Sequence, residues 1–135
     1  MKNTIFSLFA LATLLFTLPS CKKEATFEQQ LFGGWTSTEV IAADNDVSQT
    51  ETFTLDLQAT NEFNLDIIKQ LPFNGSFNVK HSGNWVADDA AQELTFTYSE
   101  SGETSSWKVT TLTETSMTVE TLQGGTQYVI TFERN

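Results

Sequence analysis

Few residues in this 135-residue chain have the type and spacing that chemistry requires. His81 is the single histidine. One imidazole makes a zinc site only with Cys or carboxylate partners at ligand spacing, and none stands around it. Asp44-Asn45-Asp46 opens like a calcium loop. Its sixth position is Gln49 where the loop needs Gly, and its twelfth is Leu55 where it needs Glu. Asp88-Asp89 reads as turn chemistry rather than an acid–base pair. No Gly-x-Ser-x-Gly elbow and no phosphate-cradling glycine loop occurs. Nothing passes the nucleophile-and-base test, so the expectation is a non-enzymatic protein without metal or cofactor.

The aromatic set is more informative. The chain holds 11 Phe, 3 Trp and 2 Tyr. Ten aromatics fall at positions expected to point inward: Trp35, Phe53, Phe63, Phe77, Trp85, Phe96, Tyr98, Trp107, Tyr128 and Phe132. An eight-stranded barrel can be just wide enough for its own side chains to fill, so most of them are expected to be core. Tyr98, Trp107 and Tyr128 each join an apolar body to a hydrogen-bond donor. They are the candidates for lining a pocket that holds a small apolar or amphiphilic molecule.

These side chains need strands to position them. Thr is abundant, and apolar and polar residues alternate with period two. The alternation predicts strands over Trp35–Ala42, Thr52–Leu57, Glu62–Ile68, Gly75–His81, Trp85–Ala87, Glu93–Tyr98, Ser106–Leu112, Ser116–Thr121 and Gln127–Glu133. Turn pairs separate them, among them Asn74-Gly75, Ser82-Gly83, Ser101-Gly102 and Gly124-Gly125. Thr26-Phe27-Glu28-Gln29 reads as a capping box that starts one short helix, with Gly33-Gly34 as its stop. Eight or nine short strands in a row, each with one buried and one wet face, predict an all-β, antiparallel up-and-down barrel after a short N-terminal helix. Closure into a barrel removes the exposed edges of such a sheet.

The N-terminus carries a different signal. Lys2 is followed by an apolar run from Ile5 to Leu18, which is too short for a comfortable bilayer span. Leu18-Pro19-Ser20-Cys21 then resembles a bacterial lipobox, with Leu18 and Ser20 in the family's places and Pro19 a departure. The resemblance implies cleavage after Ser20 and acylation of Cys21. The expected organisation is a leader over 1–20, the lipidated Cys21 with a tether over 21–25, and a barrel over 26–135. The expected location is the cell envelope, most readily the outer membrane, with the bilayer as partner through Cys21. Cys21 is the only cysteine, so no intrachain disulfide can form. The formal net charge of −10 argues against nucleic acid as a partner.

The short helix, Gly33-Gly34-Trp35 at the first strand, the meander and Arg134 after the last strand together resemble the lipocalin-like calycins over about residues 26–134. That resemblance implies that Trp35 closes one end of the barrel with Arg134 packed over it. The chain is shorter than a typical lipocalin, so a shallow barrel is expected. Two functions fit: a lipid-anchored barrel that binds a small ligand, or a solid barrel that meets an envelope protein as an interaction or inhibitor-type module.

Overall fold

The computed structural model describes residues 22–135. The leader, the acylation site at Cys21 and the cleavage after Ser20 lie outside the described residues.

Among the described residues one helix, α1 (Phe27–Leu31), precedes nine strands: β1 (Gly33–Ala42), β2 (Asn45–Asp46), β3 (Glu51–Leu57), β4 (Glu62–Leu71), β5 (Gly75–Asp88), β6 (Glu93–Tyr98), β7 (Thr104–Leu112), β8 (Ser116–Gln123) and β9 (Thr126–Arg134). Every pairing is antiparallel between chain neighbours, except that β1 skips to β3 and also pairs with β9. That last pairing, from Trp35↔Arg134 to Ala42↔Tyr128, closes eight strands into a barrel. β2 is an extra two-residue flap on the end of β1. The all-β barrel that the alternation predicts is the fold observed.

Period-two alternation becomes burial directly. Along β3, Phe53, Leu55 and Leu57 are buried while their neighbours are not, and β9 does the same with Tyr128, Ile130 and Phe132. Trp35, Trp85, Trp107, Phe53, Phe63, Phe96 and Phe132 are fully buried. They pack edge to face, as in Phe63–Phe96 with centroids 4.8 Å apart and Phe96–Trp107 at 4.9 Å. Each such side chain contributes ~1.5–3 kcal/mol by leaving water. The barrel is therefore filled by its own aromatics.

Capping starts the helix as the sequence predicts. The Gln29 backbone N–H donates to Thr26 Oγ1 at 3.2 Å, and the Thr26 N–H donates to Gln29 Oε1 at 3.1 Å. Phe27 and Leu31 are buried, so α1 plugs one end of the barrel. The helix stops where the glycine signal implies: Leu31 is its last residue, Phe32 caps it, and Gly33, with a φ of 116°, follows and opens β1 by pairing with Leu57.

Three expectations need correction around β5. Ser82-Gly83 is not a turn: the two predicted strands over Gly75–His81 and Trp85–Ala87 are one strand, Gly75–Asp88. Gly83 is instead a crossing point. A Cβ there would lie 1.9 Å from the Thr97 carbonyl oxygen, so only glycine lets the two backbones approach. Phe77, expected inside, is 44% exposed. Its parity is the inward one, since it pairs with Lys69 two steps beyond the buried Ile67. However, the β4–β5 hairpin runs past the barrel rim, where inward has no core to face. At the tip Phe73 is 101% exposed, and Leu71 is also exposed.

Candidate functional site

Strand directions define two ends. The closed end holds α1 and the starts of β1 and β4, and the open end holds the β4–β5 tip, the loop after Tyr98 and the Gly124-Gly125 turn.

At the closed end Trp35 is fully buried, and its indole N–H donates to the Leu31 carbonyl at 2.9 Å. The Arg134 guanidinium lies 4.2 Å from the Trp35 ring centroid. Its nitrogens also donate to the Glu114 carbonyl at 2.7 Å, the Gln30 carbonyl at 2.6 Å and the Phe32 carbonyl. Two of these oxygens belong to the helix end, where carbonyls have no helical partner. Trp85 supports the same end, donating to the Gln58 carbonyl at 3.2 Å and meeting Phe32 edge to face.

The three pocket candidates have different surroundings. Trp107 is fully buried, packed on Phe96 and Phe132, with its indole N–H on Ser105 Oγ at 3.2 Å. Tyr128 packs on Phe53, and its hydroxyl donates to Glu51 Oε2 at 3.2 Å. Tyr98 is half-buried, beside Phe63 at 5.9 Å and His81 at 4.8 Å between ring centroids. Burial pushes the Tyr98 hydroxyl above its ordinary pKa, with Ser105 opposing and the Glu100 charge adding to the rise.

Sequence reasoning missed the group at the barrel mouth that orders Tyr128. Lys69 Nζ lies 3.0 Å from Glu51 Oε1 and 3.4 Å from the Tyr128 hydroxyl. Burial works to lower the Lys69 pKa, but its hydrogen bonds to Glu51 and Tyr128 outweigh burial and raise it. The register Glu51↔Lys69 puts these charges directly opposite. Counting outward from the Thr60-Asn61 turn would have found the pair.

A solvent-open cleft of about 520 Å³ lies where β6 ends and the barrel wall is short. His81, Tyr98, Ser105 and Gln123 line it, with Lys80 and Glu100 among its charged borders. Neither Trp107 nor Tyr128 is in its wall. A second cleft of about 420 Å³ spans the outer face between Asp56, Asp66 and Lys80. Among the described residues no three His, Cys, Asp or Glu side chains converge as metal ligands would.

The fold and its ends define the class: a small, closed, antiparallel meander barrel, plugged by a helix at one end and open at the other. No protein-family model matches the chain, and no curated protein matches it. Solved structures do. A de novo designed fluorescence-activating β-barrel is similar with a TM-score of 0.52 and 16% identity over 83% of this chain and 100% of that one. A redesigned β-barrel is similar with a TM-score of 0.56 and 14% identity over 82% of this chain and 96% of that one. Lobster apocrustacyanin A1 overlaps at a TM-score of 0.45 and 11% identity, with the match covering 78% of this chain and 61% of that one. At these identities the likeness is one of fold.

Proposed function

We propose that the chain is an exported, lipid-anchored, non-enzymatic binding barrel that holds a small amphiphilic molecule at its open end. The observation that carries this reading is the contrast between a barrel interior filled by buried aromatics and a solvent-open cleft walled by Tyr98 and His81. A ligand's apolar part would rest on the Tyr98 ring, with the Tyr98 hydroxyl and Ser105 orienting its polar head. Trp107 and Tyr128 would act from behind, Trp107 by fixing Ser105 through its indole N–H and Tyr128 by ordering the mouth through Glu51 and Lys69. One designed barrel of similar fold is described as fluorescence-activating, which fits a fold able to carry a small-molecule site. Kinship to lipocalins is part of this reading and rests on Gly33-Gly34-Trp35 with Arg134.

The anchor is part of the proposal too. Lipid on Cys21 would enter the bilayer through more than one acyl chain, since one chain of this kind binds only marginally. The test is fractionation with Cys21→Ser: loss of carbonate-resistant membrane association is expected, and normal processing with unchanged partitioning would overturn the anchor. The ligand test is a fluorescence titration with fatty acids, retinoids and haem-like probes. A saturable response that Tyr98→Ala weakens about tenfold or more is expected. No response from any probe would leave the cleft without a ligand of this class.

One observation favours a second reading. The β4–β5 tip exposes Leu71, Phe73 and Phe77 together. A filled barrel with an exposed apolar tip also suits a module that meets another envelope protein.

A further inference from the structure

We propose that the upper half of β5 is a pairing edge through which two copies of this chain join, antiparallel and in register about Asn78.

β5 runs from Gly75 to Asp88, and its pairing with β6 covers only Gly83↔Tyr98 to Asp88↔Glu93. Above Gly83 the β6 side of β5 has no strand partner among the described residues. The direction of the free groups follows from alternation. Trp85 donates its backbone N–H to Asn61 on the β4 side, and the Ser82 carbonyl accepts from Ser99 on the β6 side. Odd residues therefore bond to β4, and even residues face away from it. Ser76, Asn78 and Lys80 thus present their backbone N–H and C=O groups along an open edge, the template that strand addition uses. The tip of the hairpin exposes Leu71, Phe73 and Phe77, and lower down the edge borders the open cleft at Lys80 and His81, so a second chain would lie from the tip to the mouth of that cleft.

The second copy is favoured as occupant by register and charge. Antiparallel pairing about Asn78 sets Phe77 against Val79 of the other copy, twice by symmetry. It also sets Lys80 against Ser76, so no like charges oppose. Phe77 is 44% exposed in the single chain, and this pairing covers it. From Ile67 to Ala87 the chain carries no acidic residue, although its net charge is −10. The hairpin is thus the region through which two such acidic molecules approach with least repulsion. A seven-residue edge falls below the ~1,200 Å² of a standard stable interface, so the dimer belongs to the weak, concentration-dependent class.

The test uses the full chain in its native membrane fraction and, purified in mild detergent, by sedimentation. Asn78→Cys should cross-link to a covalent dimer on oxidation, because each Asn78 faces its own counterpart. Ser76→Cys alone should not, since the two copies of residue 76 lie ~13 Å apart along the strands. Mixing Ser76→Cys with Lys80→Cys chains should restore the cross-link. In sedimentation, Ser76→Glu should tighten the dimer about fivefold by facing Lys80, and Ser76→Lys should weaken it by a similar factor. Added salt should strengthen association by screening the acidic bodies. Equal cross-linking at all three positions, or no self-association at the highest soluble concentration, would overturn the proposal.

Discussion

The guanidinium of Arg134 reaches carbonyl oxygens from two separate segments while covering the Trp35 indole. A cation over a buried ring such as Trp35 contributes ~1–2 kcal/mol, and hydrogen bonds from a charged donor add to it. Arg134→Ala should therefore cost about 2–3 kcal/mol, and Trp35→Ala about 3–5 kcal/mol as a truncated buried aromatic, both read by chemical denaturation. Arg134→Lys should recover only part of the loss, because an ammonium cannot span the three acceptors. An Arg134→Ala protein with unchanged stability would mean that the guanidinium is solvated in solution. Tyr98 and Lys69 contribute to the loss of stability at alkaline pH. Both have pKa values raised above the ordinary 10.0 and 10.5, so the folded chain holds their protons more tightly than the unfolded chain does. Stability from both is complete below those ordinary values and falls as pH rises through the folded ones. Denaturant melts from pH 8 to 11 should show that decline, and Tyr98→Phe should make it shallower. Trp35 and Arg134 were legible in the sequence as a pair. The acceptors of Arg134 were not, because backbone carbonyls leave no mark in residue identity.

Among the elements, β5 departs most from what its residues announce. Ser82-Gly83 has the composition of a turn, yet Gly83 is needed because Thr97 crosses it. Gly83→Ala should cost roughly 3 kcal/mol or more and loosen the β5–β6 pairing. By contrast, Gly102→Ala, where nothing lies within 4 Å of the added carbon, should cost only the strain of its left-handed φ of 72°. Hydrogen exchange at β6 amides separates the two outcomes. If Gly83→Ala leaves stability and exchange unchanged, the close crossing at Thr97 is absent in solution. The period of β3, β4 and β6 to β9 was readable because one face of each meets a core. The exposure of Phe77 was not readable, since alternation gives the side a residue faces but not whether the barrel reaches that far. The mouth pair Glu51–Lys69 lay within reach of register counting. The cleft beside Tyr98 depends on β6 being shorter than β5, which local residue types do not fix.

At the scale of the whole molecule, the filled interior governs what the barrel can accept. Trp107 packs between Phe96 and Phe132, so Trp107→Ala should hollow the barrel and cost about 3–5 kcal/mol. The resulting apolar void should take up a small aromatic such as benzene, raising the melting temperature of the variant but not of the parent. No such rise would mean that the barrel collapses around the gap. Closure of the barrel by β1 and β9 has one more consequence. The Asn135 backbone N–H donates to the Gly34 carbonyl at 3.0 Å, so the first and last strands run side by side. The order in which the chain visits its strands is then largely a matter of where it is cut. Joining Asn135 by a short flexible link to the segment before Phe27, and opening the chain between Gly124 and Gly125, would move the new termini to the mouth while keeping every strand pair. A tether attached to the new terminus of such a permutant would sit at the open end and leave the helix-plugged end facing outward.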